Sequence, residues 1–117
     1  MTRRHYLAAV IRFFLAQPAA PARAARDDWA VAQTLYTRGV SLGDFTHAVR
    51  IATLRRLNAA EPLPPPRRLA YYRQVLELLT PAERDPDYVT YVANRYQVAT
   101  SISARSDRQN RALPDRH

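Results

Sequence analysis

The sequence has no cysteine, few glycines and no long apolar run. Without cysteine, disulfides, zinc–thiolate sites and thiol nucleophiles are excluded, so the fold must be held together by packing. The two glycines, Gly39 and Gly43, are too few for a glycine-rich nucleotide loop. Because no apolar stretch approaches the ~20 residues of a membrane span, we expect a soluble, cytoplasmic protein without membrane association.

Lysine is also absent, so the 18 basic residues are all arginines; against 10 acidic residues they leave a net charge of +8. A GC-rich genome replaces lysine by arginine and enriches alanine and proline, but that drift leaves the net charge unchanged. The charge therefore indicates an anionic partner such as nucleic acid. The arginines concentrate in residues 1–26, in residues 45–73 and in the C-terminal segment from 105.

Apolar residues recur with a period near 3.6, which predicts an all-α fold: a compact bundle of four to five helices with a proline-rich connector. Caps and helix breakers predict a first helix around 5–16, a second from Asp27 to about Arg38, a third over 42–58, a fourth from Pro66 to near Thr80 and a fifth after Asp85. The β-branched residues in 86–104 leave a strand there as an alternative. We expect one domain, 1–104, and a disordered basic tail, 105–117.

The N-terminal segment combines arginines with an apolar stretch, as targeting sequences do. Arg12 interrupts the apolar stretch, which argues against a signal peptide, whereas an Arg-rich, acid-poor mitochondrial presequence stays open. The simplest interpretation is that this segment forms the first helix of the core.

The stretch EPLPPPRR, 61–68, places an arginine pair directly after the prolines. In the first turn of the predicted fourth helix, Arg67 and Arg68 would oppose the helix dipole by about 0.3–1 kcal/mol. A phosphate bound there would meet free backbone N–H groups and two guanidinium groups. If the connector folds back, Arg55 and Arg56 complete a four-arginine patch. The alternatives are solvated arginines without a ligand, or a proline-rich ligand of an adaptor domain.

The order helix, glycine turn, helix over AQTLYTRGVSLGDFTHAV is typical of a helix-turn-helix motif that reads DNA. Apolar residues nevertheless surround most of the third helix, which favours a central core helix. The exposed strip predicted for it contains His47 and Arg50, which could still reach bases.

No pattern for catalysis or metal binding is present. The sequence has no His-x-His, Glu-x-x-His or Gly-x-Ser-x-Gly, so we expect no enzyme, no metal site and no cofactor. Adjacent helical residues point about 100° apart, so Tyr71 and Tyr72 are better explained by packing than by catalysis. Exposed tyrosines can stack on unpaired bases, and the candidates are Tyr36, Tyr91 and Tyr96.

The segments DDWAVAQTLYTRGVSLGDFTHAVRIATLRR and PPRRLAYYRQVLELL resemble small Arg-rich proteins of bacterial plasmids and integrative elements. They also distantly resemble the helical DnaD-like domain of replication proteins, over residues 27–79, although the tryptophan that usually follows its tyrosine helix is missing. What carries the resemblance is an Asp-led helix, a glycine turn, a central helix ending in arginines, and then Leu69, Tyr71, Tyr72, Val75 and Leu76. It implies DNA binding in replication or maintenance of a mobile element.

The sequence thus predicts a non-catalytic protein that binds nucleic acid mainly through phosphate contacts, with DNA favoured over RNA and RNA left open. The predicted contact residues are Arg50, Arg55, Arg56, Arg67, Arg68, Arg73 and His47. One alternative is a small helical subunit of a larger nucleoprotein complex, such as an RNA-guided effector. Another is a protein-interaction module that uses the first helix or the proline segment.

Overall fold

Five α-helices follow one another along the chain, separated by proline, glycine and aspartate signals. The computed structural model describes residues 1–61 and 63–112, with side chains as far as residue 102. The helices are α1 (Arg3–Leu15), α2 (Arg26–Thr37), α3 (Leu42–Leu57), α4 (Leu69–Glu77) and α5 (Pro86–Ala112), with a 3₁₀ turn at Ala82–Arg84. These described residues contain no strand, so the all-α prediction is confirmed and the strand alternative for 86–104 is wrong.

Local capping signals set the end of α2 and the start of α3 as predicted, whereas α2 begins at Arg26, with Ala25 and not Asp27 as its N-cap. Gly39 adopts φ +75° just after α2, a left-handed conformation that glycine tolerates well. The Ser41 hydroxyl then accepts a hydrogen bond from the Asp44 backbone N–H at 3.0 Å, which caps α3. Four residues, 38–41, therefore connect the two helices.

The central helix is α3, which contacts α1, α4 and α5. Its apolar residues occupy much of its circumference, as predicted, and Phe45, Ala48 and Val49 are fully buried. From α1, Val10 and Phe14 reach the same core, so the N-terminal segment is a core helix. The other buried members of the core are Tyr6, Ile11, Ala32, Leu35, Ile51, Ala52, Leu69, Tyr72, Leu76, Leu79 and Val92.

α4 is shorter than predicted at both ends. It begins at Leu69, and Arg68 is its N-cap with an extended backbone (φ −132°, ψ 141°), so Arg67 and Arg68 do not form its first turn. A run of prolines favours extended backbone, and each proline disfavours the helical region in the residue before it. At the other end, the Arg84 guanidinium donates to the Leu76 carbonyl at 2.9 Å, which satisfies one of the last carbonyls of the helix.

A buried carboxylate, Asp28, caps two helices at once. Its Oδ2 accepts from the Ala25 backbone N–H at 2.8 Å, at the start of α2, and its Oδ1 accepts from the Leu69 N–H at 2.9 Å, at the start of α4. The side chain is almost entirely inaccessible, with only 2% of its surface exposed. Charge-assisted hydrogen bonds at two positive helix ends compensate for this burial. Asp28 therefore ties α4 to α2.

A second buried polar group, Gln17, connects three helices, α1, α3 and α5. Its Nε2 donates to the Phe13 carbonyl at 2.9 Å, while its Oε1 accepts from the hydroxyls of Thr53 and Tyr96, each at 3.0 Å. The neighbouring Tyr72 is buried, and desolvation raises its pKa to about 12, although the Arg56 charge opposes the shift. This polar cluster fixes α5 against α1 and α3.

α5 runs in the same direction as α3, because His47 lies against Tyr88 and, further along, Leu57 faces Val98. Its backbone continues to Ala112, so the segment predicted as a disordered tail, 105–117, starts within this helix. The side chains of that segment, and all of 113–117, lie outside the described residues. Across the described part of the chain, no helix combines the length and apolarity needed to cross a bilayer.

The double cap generates a stability prediction. Asp28→Asn keeps the shape of the side chain but aims an amide donor at one of two buried N–H groups. We expect the free energy of unfolding to fall by about 2–4 kcal/mol, since a buried donor left without an acceptor is costly. Urea unfolding followed by circular dichroism measures it.

The matched control is Asp27→Asn, which removes the neighbouring exposed charge in the same turn of α2. Its expected cost is below about 1 kcal/mol, the scale of a helix-dipole interaction. Equal decreases in the two variants would contradict the double-cap interpretation.

Candidate nucleic-acid interface

The structure gives two of the four patch arginines partners of their own. The Arg55 guanidinium forms an ion pair with the Glu83 carboxylate, beside the 3₁₀ turn. Arg56 is half-buried and donates to the Pro18 carbonyl at 3.3 Å, on another side of α3. Arg67 and Arg68 are exposed on the extended segment before α4. Arg67 and Arg68 are thus exposed side by side, whereas Arg55 and Arg56 bind different neighbours within the fold.

The phosphate site predicted at the start of α4 already holds an anion, which is the protein's own Asp28. The Leu69 N–H donates to Asp28, and the Tyr71 N–H donates to the Arg68 carbonyl at 3.2 Å. The expectation of free N–H groups at this helix end is therefore wrong for the N–H groups of Leu69 and Tyr71. Sequence reasoning missed the internal acceptor because 41 residues separate Asp28 from Leu69.

Two other arginines that were predicted to contact nucleic acid, Arg50 and Arg73, are held within the fold. Arg50 is half-buried, with its guanidinium carbon 5.9 Å from the Phe13 ring centre and 5.7 Å from that of Tyr96. Such cation–π contacts bind α1, α3 and α5 together. Arg73 is also half-buried, at a cavity of about 190 Å³ that Arg38 and Arg84 line as well.

His47 was predicted on the exposed strip of α3, and this is wrong, because only 4% of its surface is exposed. Its Nε2 lies 2.6 Å from the Glu83 carbonyl. A carbonyl only accepts, so the hydrogen is assigned to Nε2. His47 therefore positions the 3₁₀ turn and is not exposed to a ligand. Burial came from the packing of α5, which periodicity within α3 does not reveal.

A groove runs between α3 and α5 along two adjoining depressions, each of about 320 Å³. Arg55 and Arg95 line it together with aromatic and aliphatic side chains, and Asn58 and Arg95 border both depressions. We call it the α3–α5 groove; its lining is Ile51, Leu54, Arg55, Leu57, Asn58, Tyr88, Tyr91, Val92, Arg95, Val98, Ala99 and Ile102.

Two tyrosines form a stacked pair on the α5 side of this groove. The rings of Tyr88 and Tyr91 are 6.0 Å apart between centres and 29° from parallel, with 37% and 55% of the residues exposed. The rings of His47 and Tyr88 pack edge to face, with their centres 6.2 Å apart, and Glu83 interacts with both His47 and Arg55. This stacked tyrosine pair, the aromatic platform, is therefore packed against the buried His47, which is itself hydrogen-bonded to Glu83.

Of the three tyrosines predicted to stack on bases, Tyr91 lies in the groove. Tyr96 is half-buried and hydrogen-bonded to Gln17. Tyr36 packs beside Tyr6, with the ring centres 5.4 Å apart. Sequence reasoning missed Tyr88 and Arg95 as groove residues. A signal was present, because positions 88, 91, 95, 98 and 102 alternate spacings of three and four and so share one stripe of a helix.

Comparison with protein-family models, with curated proteins and with solved structures finds no match to this chain. The resemblance to DnaD-like domains and to mobile-element proteins therefore stays a prediction.

Glu83 organises the base of the groove, and its environment favours the charged form. Its Oε1 accepts from the Thr80 backbone N–H at 2.9 Å. This hydrogen bond, followed by the Arg55 charge and the Thr80 hydroxyl, holds the pKa of Glu83 below its ordinary 4.5, against the opposing effect of burial. A lowered pKa means that Glu83 stabilises the fold above about pH 4.5 and ceases to do so as the pH falls through its folded-state pKa.

We therefore expect Glu83→Gln to lower the free energy of unfolding by about 1 kcal/mol near pH 7, and the difference from the natural protein to shrink near pH 3. Urea unfolding at the two pH values measures it.

Glu77→Gln is the control, because its ion pair with Arg38 has both side chains more than half exposed. That variant should differ from the natural protein by less than about 0.5 kcal/mol at either pH. A difference for Glu83→Gln that persists unchanged at low pH would show that altered packing, and not the missing charge, is responsible.

Proposed function

We propose that this protein is a non-catalytic nucleic-acid-binding protein whose exposed arginines contact phosphates, acting in the cytoplasm. The supporting observation is the imbalance of charge at its surface. Among the described side chains there are two arginine–carboxylate ion pairs, Arg38–Glu77 and Arg55–Glu83. Arg84 hydrogen-bonds to the end of α4. Apart from it and the two ion pairs, the exposed arginines among the described side chains are Arg3, Arg4, Arg12, Arg23, Arg26, Arg67, Arg68 and Arg95.

Such a surface favours phosphate binding for a definite physical reason. Each arginine that neutralises a phosphate releases condensed counterions, so affinity falls steeply as salt rises and depends little on base sequence. A guanidinium also donates two parallel hydrogen bonds to phosphate oxygens. Binding of this kind needs exposed cations and no catalytic group.

Among the predicted contact residues, Arg67 and Arg68 carry most of the proposal, since both are exposed and adjacent. Arg55 contributes although Glu83 shares its charge. Arg50, Arg56 and Arg73 are half-buried and serve mainly the fold. The resemblance over 27–79 supports DNA as the ligand and a role in replication or maintenance of a mobile element.

A second candidate is a helical subunit of a larger nucleoprotein complex. The observation in its favour is a set of exposed apolar side chains, Trp29, Leu63 and Leu78, at 44%, 50% and 79% exposure. In such a complex these residues would pack on neighbouring proteins, and the isolated chain would bind nucleic acid poorly.

The test is fluorescence anisotropy with labelled single- and double-stranded DNA and RNA between about 50 and 200 mM salt. We expect micromolar or tighter binding that weakens with salt. The double variant Arg67→Ala/Arg68→Ala should bind more weakly and lower the salt slope by about 0.7–0.9 for each phosphate that is no longer neutralised.

Arg3→Ala/Arg4→Ala is the matched control, because it removes the same charge at the start of α1, where Arg3 donates to Gln33 and not to the α4 region. Equal weakening in both variants would place the phosphate contacts on the whole surface and not at Arg67 and Arg68. If the natural protein binds no nucleic acid, the proposed function is wrong.

A further inference from the structure

The α3–α5 groove exposes groups that the fold does not use. On α5, Val92 is the buried contact with α3, at 1% exposure. Tyr91, Val98 and Ile102 lie on a neighbouring stripe of the same helix and remain more than half exposed. From Tyr88 to Ile102 this stripe is about 21 Å long, at 1.5 Å per residue. A line of exposed aromatic and aliphatic groups of this length, with Arg95 in its middle, is typical of a binding surface.

The charge of the groove points to a polyanion. Arg55 and Arg95 line it, and within the described residues no aspartate or glutamate does. A purely apolar partner would leave the exposed Arg95 guanidinium, and that of Arg55 whose charge Glu83 shares, against an uncharged surface. A second copy of this chain, paired through the same stripe, would bring two positively charged grooves together, which is unfavourable.

The tyrosine pair selects among polyanions. Aromatic faces stack on bases whose faces are accessible, and in a duplex those faces are covered by neighbouring base pairs. The Tyr88 ring packs edge to face against the buried His47 ring, so it needs little ordering before it binds. Tyr91 stacks on Tyr88 and presents the more exposed ring.

Resting on the proposed nucleic-acid binding, we propose that the α3–α5 groove is a site for single-stranded nucleic acid. Unpaired bases stack on Tyr91 and Tyr88, and Arg55 and Arg95 contact the adjoining phosphates. The groove reads no sequence, because every base offers a face for stacking. Single strands therefore bind more tightly here than duplexes of the same charge.

The experiment measures the affinity of a labelled oligo(dT) of about 20 nucleotides and of a duplex of equal length for each variant. Tyr91→Leu keeps an apolar side chain but removes the more exposed ring. It should weaken single-strand binding about 5- to 140-fold and change duplex binding by less than about twofold. Its salt slope should stay that of the natural protein, since every arginine that neutralises a phosphate is retained.

Two further variants separate stacking from charge and from folding. Arg95→Ala should lower the single-strand salt slope by about 0.7 without removing the stacking contribution. Trp29→Leu is the control, because Trp29 is also an exposed aromatic side chain, at 44%, but lies on α2 outside the groove. It should leave single-strand affinity unchanged. Circular dichroism checks that each variant keeps its helicity.

The outcomes distinguish the two proposals. Binding of single strands and duplexes with equal affinity, unaffected by Tyr91→Leu, would leave the proposed function standing and overturn the groove assignment. Failure of the natural protein to bind any nucleic acid would overturn both. Concentration-dependent self-association in sedimentation, abolished by Tyr91→Leu, would identify the groove as an interface between copies and also overturn the assignment.

Discussion

The buried carboxylate of Asp28 is the constraint on which the arrangement of the helices depends. Its two oxygens accept from the Ala25 and Leu69 N–H groups, so one charge neutralises the positive ends of α2 and α4. Removing a carboxylate from water is costly, and two helix ends in the correct relative position compensate for it. That position brings Tyr72 of α4 onto Phe14 of α1, with ring centres 6.1 Å apart. The core on this side of α3 therefore depends on the hydrogen bonds of Asp28.

The same carboxylate limits where an external phosphate can bind. A helix N-terminus preceded by two arginines is a favourable anion site, but the anion at α4 is internal. Arg67 and Arg68 remain exposed beside it as cations on extended backbone. They can contact a flexible polyanion without help from the helix end. Such contacts are expected to be salt-sensitive and indifferent to base sequence.

On the opposite side of α3, Glu83 plays the corresponding role for the groove. It accepts from Thr80, pairs with Arg55 and offers its carbonyl to His47. Because His47 supports Tyr88, the charged side chain and the aromatic platform are positioned by one residue of the 3₁₀ turn. Its lowered pKa shows that these interactions favour the carboxylate. Glu83, which does not itself line the groove, thus positions Arg55 directly and Tyr88 through His47.

The end of α2 and the start of α3 could be predicted from Gly39 and Ser41, since both signals act within one helical turn. The features that could not be predicted join distant residues, such as the hydrogen bond from Tyr96 to Gln17 across 79 positions. Periodicity within α5 does not by itself specify which stripe of the helix packs on α3. Val92 turned inward and Tyr91 stayed exposed, although they are adjacent in sequence. The rotation of α5 is a matter of its packing on α3, where Val92 lies with Ile51 and Leu54 while Tyr88 and Tyr91 remain exposed.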